Sequence, residues 1–564
     1  MPQIPERAVR DLADAYVASV AGLDPSVAIA LGMESGSREL RDLSPAGYQA
    51  QDDLDRATLA ELNRLTSRPL APDAELRCAR LLRERLETAL AVSATDEHLR
   101  EVRNILGPVQ DLQGIFTMAP AANEADWSAI AKRMALVPEA LAGYTVSLRE
   151  GMARGLLAPL RQVSAFAAQL RDWSAAGEGR GWFTEFCATA QVAPSLRAEL
   201  ERAAAAANDA VAELRRWMLE DYAPLTEGVP DGVGAERYPV LARNWLGAEL
   251  DLASTYAWGW SEYQRITAEM AEQAERVLPG ATAREAMDYL DIHGEAVEGV
   301  EEIRQRLQRM LDERVAELDG THFDLLSQVR RVEACIAPPG SAAAPYYTRP
   351  SRDFSRPGRT WLPVLGQTRF PLWKLVSTWH HEGVPGHHLQ LGTWTALGGQ
   401  LSTYQASIAR VSAMTEGWAL YAERLMDELG YLSDPAARLG YLEAQLRRAI
   451  RVIVDIGMHL QLELPDGVLP QIEHGRTWTP ELAIEFFAAH TARSTAFATS
   501  EIVRYLGCPG QAISYKVGER AWLAGREAAR TARGDAFDLK SWHMAALSLG
   551  ALGLDDLTAE LAQL

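Results

Sequence analysis

Residues 441–461, YLEAQLRRAIRVIVDIGMHLQ, place Leu442, Leu446, Ile450, Ile453 and Val454 three and four positions apart, which puts them on one stripe of an α-helix. The same period recurs at about 5–21, 74–95, 195–222, 247–277, 295–317, 401–429, 436–463 and 509–529, in a chain dominated by Ala, Leu, Arg and Glu. The expected fold class is therefore mainly α. No fixed-period repeat is present, which disfavours a solenoid.

Two stretches interrupt the pattern. APLTEGVPDGVGAERYP (223–239) reads as a Gly/Pro loop, and APPGSAAAPYYTRPSRDFSRPGRTWLPVLGQTRFP (337–371) is the longest segment without helical period. The second contains the one convincing strand, RTWLPV (359–364), after an Arg-Pro-Gly turn. Pro363 confines it to an edge or irregular strand. An edge strand can hold an extended peptide by strand addition, although a surface loop with a short hairpin accounts for the segment equally well.

Composition sets the outer limits. The 564 residues, 48% hydrophobic and 23% charged, suit two to four ordinary domains or one large enzyme of two lobes. The balance of 56 Lys and Arg against 76 Asp and Glu, a net charge of −20, argues against nucleic acid or an anionic membrane as partner. Cys78, Cys187, Cys335 and Cys508 are far apart and form no CxxC pair, which suggests neither a disulfide framework nor a thiolate zinc site. MPQIPERAVRDLADAYVASVAG (1–22) lacks the apolar run of a signal peptide, and HMAALSLGALGL (543–554) is too short to span a bilayer. A cytoplasmic location is expected. DGVGAE (231–236) contains a GxG without the strand before it and helix after it that a nucleotide loop requires.

Immediately after the irregular segment comes STWHHEGVPGHHLQ (377–390), with four histidines and a glutamate. Zinc hydrolases combine imidazole and carboxylate ligands with an open position for water and a nearby carboxylate base. His381-Glu382 begins the HExxH pattern, but position 385 is proline, so the plain motif fails. On an unbroken helix, at about 100° per residue, His388 returns to within about 20° of His381 while His387 points away. Pro385 and Gly386 should interrupt the helix, so that either histidine can swing toward a metal.

This stretch resembles the signature of the bacterial domain-of-unknown-function 885 family, HExxPGH. YYTRPSRDFSRPGR, MTEGWALYAERL, RRAIRVIVDIGMH, EIVRYLGCPGQAISYKVG and GAERYPVLARNWLG extend the resemblance over roughly 230–530. Such proteins are similar to all-helical zincin peptidases of the oligopeptidase and angiotensin-converting-enzyme type. The resemblance implies a two-lobed helical fold with a deep cleft and a small β-hairpin before the active-site helix. It also implies an N-terminal lobe at 1–230 and a catalytic region at 231–564, with one Zn2+ per chain. Carried over by position, it implies His381, His387 and Glu416 as ligands, Glu382 as general base and Tyr515 as oxyanion donor; Glu423, seven residues after Glu416 and on the same helical face, is the substitute ligand.

Read from its residues alone, Asp455 lies within an otherwise apolar helix face and needs a partner, which marks it as a candidate to orient a ligand, and His459, one turn later, is a candidate for binding substrate; a buried Asp/His pair that only supports the fold accounts for the two equally well. Arg504, Tyr505, Gln511 and Lys516 surround a Pro-Gly turn that opens a helix and are candidates for binding substrate. The expected function is a zinc-dependent oligopeptidase or carboxypeptidase acting on short peptides. Its rivals are a metal-dependent amidase on a non-peptide amide and a helical peptide-binding protein without turnover. A short peptide is the expected partner, and the sequence also admits a homodimer.

Overall fold

Helix-favouring residues carry most of this chain into helices, and the computed structural model describes them over residues 7–33, 40–67, 73–174, 179–338, 344–465, 467 and 475–564. Parts of two expected elements, residues 5–6 of the first helix and 339–343 of the irregular segment, lie outside the described residues. The chain divides into two compact units. The first comprises Met1–Leu70, Leu86–Val240 and Ser500–Pro509, and the second Ala71–Arg85, Leu241–Thr499 and Gly510–Leu564.

The first unit is organised around the helix Pro194–Trp217. Its buried face, Leu200, Ala203, Ala204, Ala207, Val211 and Leu214, carries small side chains that let neighbouring helices approach closely. Against it pack Glu124–Met134, Val137–Ala153, Leu160–Trp173 and Trp182–Ala188. Several helices here escaped the periodic reading. Pro108–Met118 and Val137–Ala153 each carry a proline in the first turn, where its missing N–H has no intrahelical partner to lose. The expected loop at 223–239 is partly helical, because the helix Gly234–Leu246 tolerates Pro239 in its interior. The boundary between the units falls within that helix, whose Tyr238 is fully buried in the first unit and whose Leu246 is fully buried in the second.

The second unit contains α1 (Leu252–Val277), α2 (Val300–Leu318), α3 (Leu375–Glu382), α4 (His387–Ala396), α5 (Ser412–Glu428), α6 (Pro435–Leu460), α7 (Ser514–Arg533) and α8 (Leu554–Gln563). α6 is its axis, buried nearly all round and packed against α1 and α3, while α5 lies on α7 and α7 on α8. Gly417 of α5 and Gly518 of α7 meet backbone to backbone, and a Cβ on either would overlap the other helix. That close crossing fixes the first turns of α5, including Glu416.

Small sheets precede α3. β1 (Ala296–Glu298) pairs antiparallel with β5 (Arg369–Pro371), while β2 (Val332–Ile336), β3 (Tyr346–Thr348) and β4 (Gly358–Leu362) form a second sheet in the order β2-β4-β3. β4, expected at an edge, is the central strand, parallel to β2 and antiparallel to β3. Pairing stops at Leu362, so Pro363 forfeits no ladder bond. Both sides of β4 are occupied, and strand addition of a peptide to it is ruled out.

The aromatic interior of the second unit carries an acid-sensitive group. His543 is 1% exposed, stacks on Phe323 at 4.8 Å between ring centroids, and shares a 2.7 Å hydrogen bond between Nε2 and the Tyr421 hydroxyl. Burial, with Arg526 adding to it, pushes His543 down to about 3. The folded protein therefore keeps it neutral while the unfolded chain takes up a proton below about pH 6.5. Stability is full above that value and falls as pH drops toward 3, by about 3 kcal/mol from this residue at pH 4. Urea midpoints at pH 7, 5.5 and 4 should show the fall, and His543→Gln should make it shallower, the buried His380 and His388 supplying the rest. An equally steep loss in the variant would place its origin elsewhere.

Candidate metal centre

α3 ends at Glu382 and α4 begins at His387, so the helix is interrupted between them. Pro385 cannot supply an amide to the helical ladder, and the flanking glycines leave helical geometry, Gly383 at φ −97, ψ −119 and Gly386 at φ −71, ψ −129. A Cβ at Gly386 would collide with the carbonyls of His380 and His381. Trp418 of α5 clasps the break, its indole N–H lying 2.9 Å from the carbonyl oxygen of Pro385 and 3.1 Å from that of Gly386.

The interruption reverses the order expected of a straight helix. His381 and His387 meet edge to face, with ring centroids 4.8 Å apart and planes at 83°. His388 turns away: its Nε2–H donates to the Val329 carbonyl at 2.7 Å, and its Nδ1 accepts from the Tyr347 hydroxyl at 2.9 Å. Burial pushes His388 down to about 4, which fits this neutral tautomer.

Glu416 completes the cluster from the first turns of α5. Its Oε2 lies 3.3 Å from His381 Nε2 and 3.7 Å from His387 Nε2, whereas Glu382 Oε1 stands 4.0 Å from His381 Nε2. Ligands about 2.0–2.1 Å from a tetrahedral zinc are separated by about 3.4 Å, so Glu416 stands near ligand spacing from each of the two imidazoles. The three groups whose donor atoms all lie within 4.8 Å of one another are His381, Glu382 and His387, so Glu382 stands close enough to compete with Glu416 for the third position.

The local field favours a cation at this point. Burial alone would depress His381, yet Glu416, Glu423 and Glu382 together bring it up to about 9. Burial acts to raise Glu416, but the two histidines hold its carboxyl well below the usual range. Glu382 moves the other way, because its burial outweighs the pull of His381 and His387.

Behind His381 stands a second layer. Nδ1 lies 2.8 Å from Glu423 Oε1, to which Arg448 Nη2 approaches within 3.1 Å, and the Ser377 hydroxyl donates to the other oxygen of Glu423. Nδ1–H therefore donates to Glu423, and Nε2, which faces Glu416, is the atom that would lose its proton to bind a metal. Glu423, the substitute ligand of the sequence reading, thus backs the ligand histidine. Glu423→Gln is expected to weaken zinc binding by about 10–100-fold, measured by competition with a chromophoric chelator. Unchanged affinity would reduce Glu423 to a packing group.

The remaining candidates are distributed differently. Asp455 accepts the Gly510 N–H at 2.9 Å and lies 3.8 Å from His459 Nε2, so the carboxylate hydrogen-bonded to His381 is Glu423 and not Asp455. Lys516 directs its ammonium at Gln445 (2.9 Å), Glu262 (3.0 Å) and Glu519, which uses all three of its donors and leaves none for substrate. Gln511 is buried just ahead of α7, and Tyr515, half-buried in its first turn, lies under the Arg451 guanidinium at 4.7 Å. Arg504 and Tyr505 belong to the first unit, where both engage Glu501. The sequence reading missed Arg448 and Ser377. A charged residue within the buried stretch of α6 was the available signal for Arg448, the same one that drew attention to Asp455.

The family model "Bacterial protein of unknown function (DUF885)" matches residues 25–561, well beyond the 230–530 read from motifs. Among solved structures, a "putative lipoprotein" from Colwellia psychrerythraea is similar with a TM-score of 0.82 and 22% identity, over 100% of this chain and 99% of that one. A "putative lipoprotein of unknown function" from Shewanella oneidensis gives a TM-score of 0.72 at 19% identity, over 99% and 100%. Likeness at these identities shows the fold alone. No curated protein matches the chain.

Proposed function

The chain belongs to the bacterial family of unknown function DUF885, and we propose that it is a zinc-dependent hydrolase of short peptides, an oligopeptidase or carboxypeptidase. One observation carries the reading: Glu416 Oε2 stands 3.3 Å from His381 Nε2 and 3.7 Å from His387 Nε2, the spacing of neighbouring ligands on one ion, with Glu382 Oε1 4.0 Å from His381 Nε2. The likeness to all-helical zincin peptidases, with their two lobes and deep cleft, belongs to the same proposal.

Bound zinc would supply Lewis acidity and an acidified water. The chain's own residues do the rest. Glu382 takes the proton from the attacking water and returns it to the leaving amine, and a carboxyl raised by burial suits both duties. Glu423 and Arg448 hold the His381 ring. Tyr515 donates to the developing oxyanion; it lies under Arg451, one turn along α6 from the Arg448 that touches His381. Tyr515→Phe is therefore expected to lower kcat by about 10²-fold with little change in KM. An unaltered kcat would move the role to another donor.

The reading is tested by two measurements. Elemental analysis should find about one zinc per chain, and mass spectrometry of a mixed peptide pool should find cleavage products. A folded protein that binds peptides without zinc or turnover would favour a binding role, and zinc with cleavage of non-peptide amides alone would favour an amidase. We place the enzyme in a reducing, cytoplasmic compartment, because all four cysteines are free thiols. No helix among the described residues is long and apolar enough to cross a membrane. Cell fractionation checks the location.

A further inference from the structure

α6 brings an unusual number of cations beside the candidate metal centre. Arg447, Arg448 and Arg451 follow one another on it, and Arg493 joins them from a later segment. Arg447 Nη2 lies 3.4 Å from Glu443 Oε2, and Arg493 Nε lies 3.6 Å from Glu443 Oε1. Arg448 Nη2 lies 3.1 Å from Glu423, whose other contacts are His381 and Ser377. Three guanidiniums, those of Arg447, Arg448 and Arg493, thus share two carboxylates.

Their hydrogen bonding is incomplete. Arg447 Nε, Arg448 Nη1 and Arg493 Nε are buried atoms without a hydrogen-bond partner among the described residues. Arg448 is 9% exposed as a residue, while the Arg447 and Arg493 side chains keep 16% and 28% of their surface. Burial, and then the neighbouring Arg493, Arg448 and Arg451, pull Arg447 down to about 10 against the opposing effect of Glu443. An arginine is depressed only where its charge is poorly compensated, and a further anion would relieve that deficit.

We propose that Arg447 and Arg493, with Arg448 and Arg451 beside them, form a binding site for a carboxylate of the peptide substrate, so that cleavage occurs near a negatively charged end or side chain. The inference rests on the hydrolase reading given above. Arg448 places the cluster against the metal ligand His381, its Nη2 being 3.3 Å from His381 Nδ1. Guanidinium groups match carboxylates through paired N–H donors. Lys516, one of the substrate-binding candidates of the sequence, has no donor left for it.

The test uses the zinc-loaded, full-length Glu382→Gln protein, which holds peptides without cutting them. Affinity-selection mass spectrometry is run with neutral tripeptides bearing a free C-terminus, the same tripeptides as C-terminal amides, and amidated tripeptides carrying Asp or Glu. The expected result is at least tenfold stronger retention of the free acids than of the neutral amides. Retention of the amidated acidic peptides would assign the site to a side-chain carboxylate. Adding Arg447→Gln or Arg493→Gln should erase the preference while zinc stays at one per chain. Equal retention of acids and neutral amides, or retention of neither, overturns the proposal, and this comparison needs no arginine variant to fold. Selective retention of acids without wild-type turnover would overturn the hydrolase reading alone. Wild-type turnover of neutral amides as fast as acids would overturn the carboxylate site alone.

Discussion

Turnover by Glu382→Gln is expected to fall by about 10²–10⁴-fold while zinc content stays at the wild-type level. Glutamine keeps the shape and polarity of glutamate but cannot accept the water proton at neutral pH. Metal affinity should survive because Glu382 Oε1 stands 4.0 Å from His381 Nε2, outside the closer approach of 3.3 Å made by Glu416. The fold should survive too, since Glu382 is the last residue of α3 and glutamine fits the same space. kcat on the peptides found by screening and zinc per chain are the two readings needed. Loss of zinc would exchange the roles of Glu382 and Glu416, and activity within tenfold of wild type would remove Glu382 as the base.

Periodicity within one helix was legible in the sequence. Leu442, Leu446, Ile450, Ile453 and Val454 are all buried, as their spacing required. The interruption at 383–386 was legible as well, because proline and glycine act through their own backbone geometry. What escaped depends on partners distant in the chain. Glu423 and Arg448 acquire their relation to His381 only when α5 and α6 pack against α3, and nothing in either local pattern distinguishes a ligand from the group behind one. Lys516 looked available for substrate because Glu262 and Gln445, which consume its donors together with Glu519, lie far from it in sequence. β4 looked like an edge strand because Pro363 was counted inside it. Of its two neighbours, β3 comes from the irregular stretch 337–371 and β2 from the five residues just before it, outside any element read from the sequence.

Zinc is expected to be lost from His387→Ala and kept by His388→Ala, which separates two adjacent histidines by function. A helix running straight through from His381 would aim residue 388 at the metal, at about 100° per residue. Here Gly383 and Gly386 take the backbone out of the helix, and Trp418 binds the carbonyls of Pro385 and Gly386, which brings His387 to 3.7 Å from Glu416. Removing a ligand should weaken binding beyond the about 10–100-fold expected for Glu423→Gln, the group behind one. His388 serves the fold instead, bridging the Val329 carbonyl and the Tyr347 hydroxyl. Its loss leaves two buried polar groups without their partner, at about 1–3 kcal/mol each. His388→Ala should therefore lower the melting temperature with zinc still bound, as elemental analysis and thermal unfolding of the two variants will show. Zinc lost only from His388→Ala would mean that the helix continues through the Pro-Gly pair and that the metal lies on its other face.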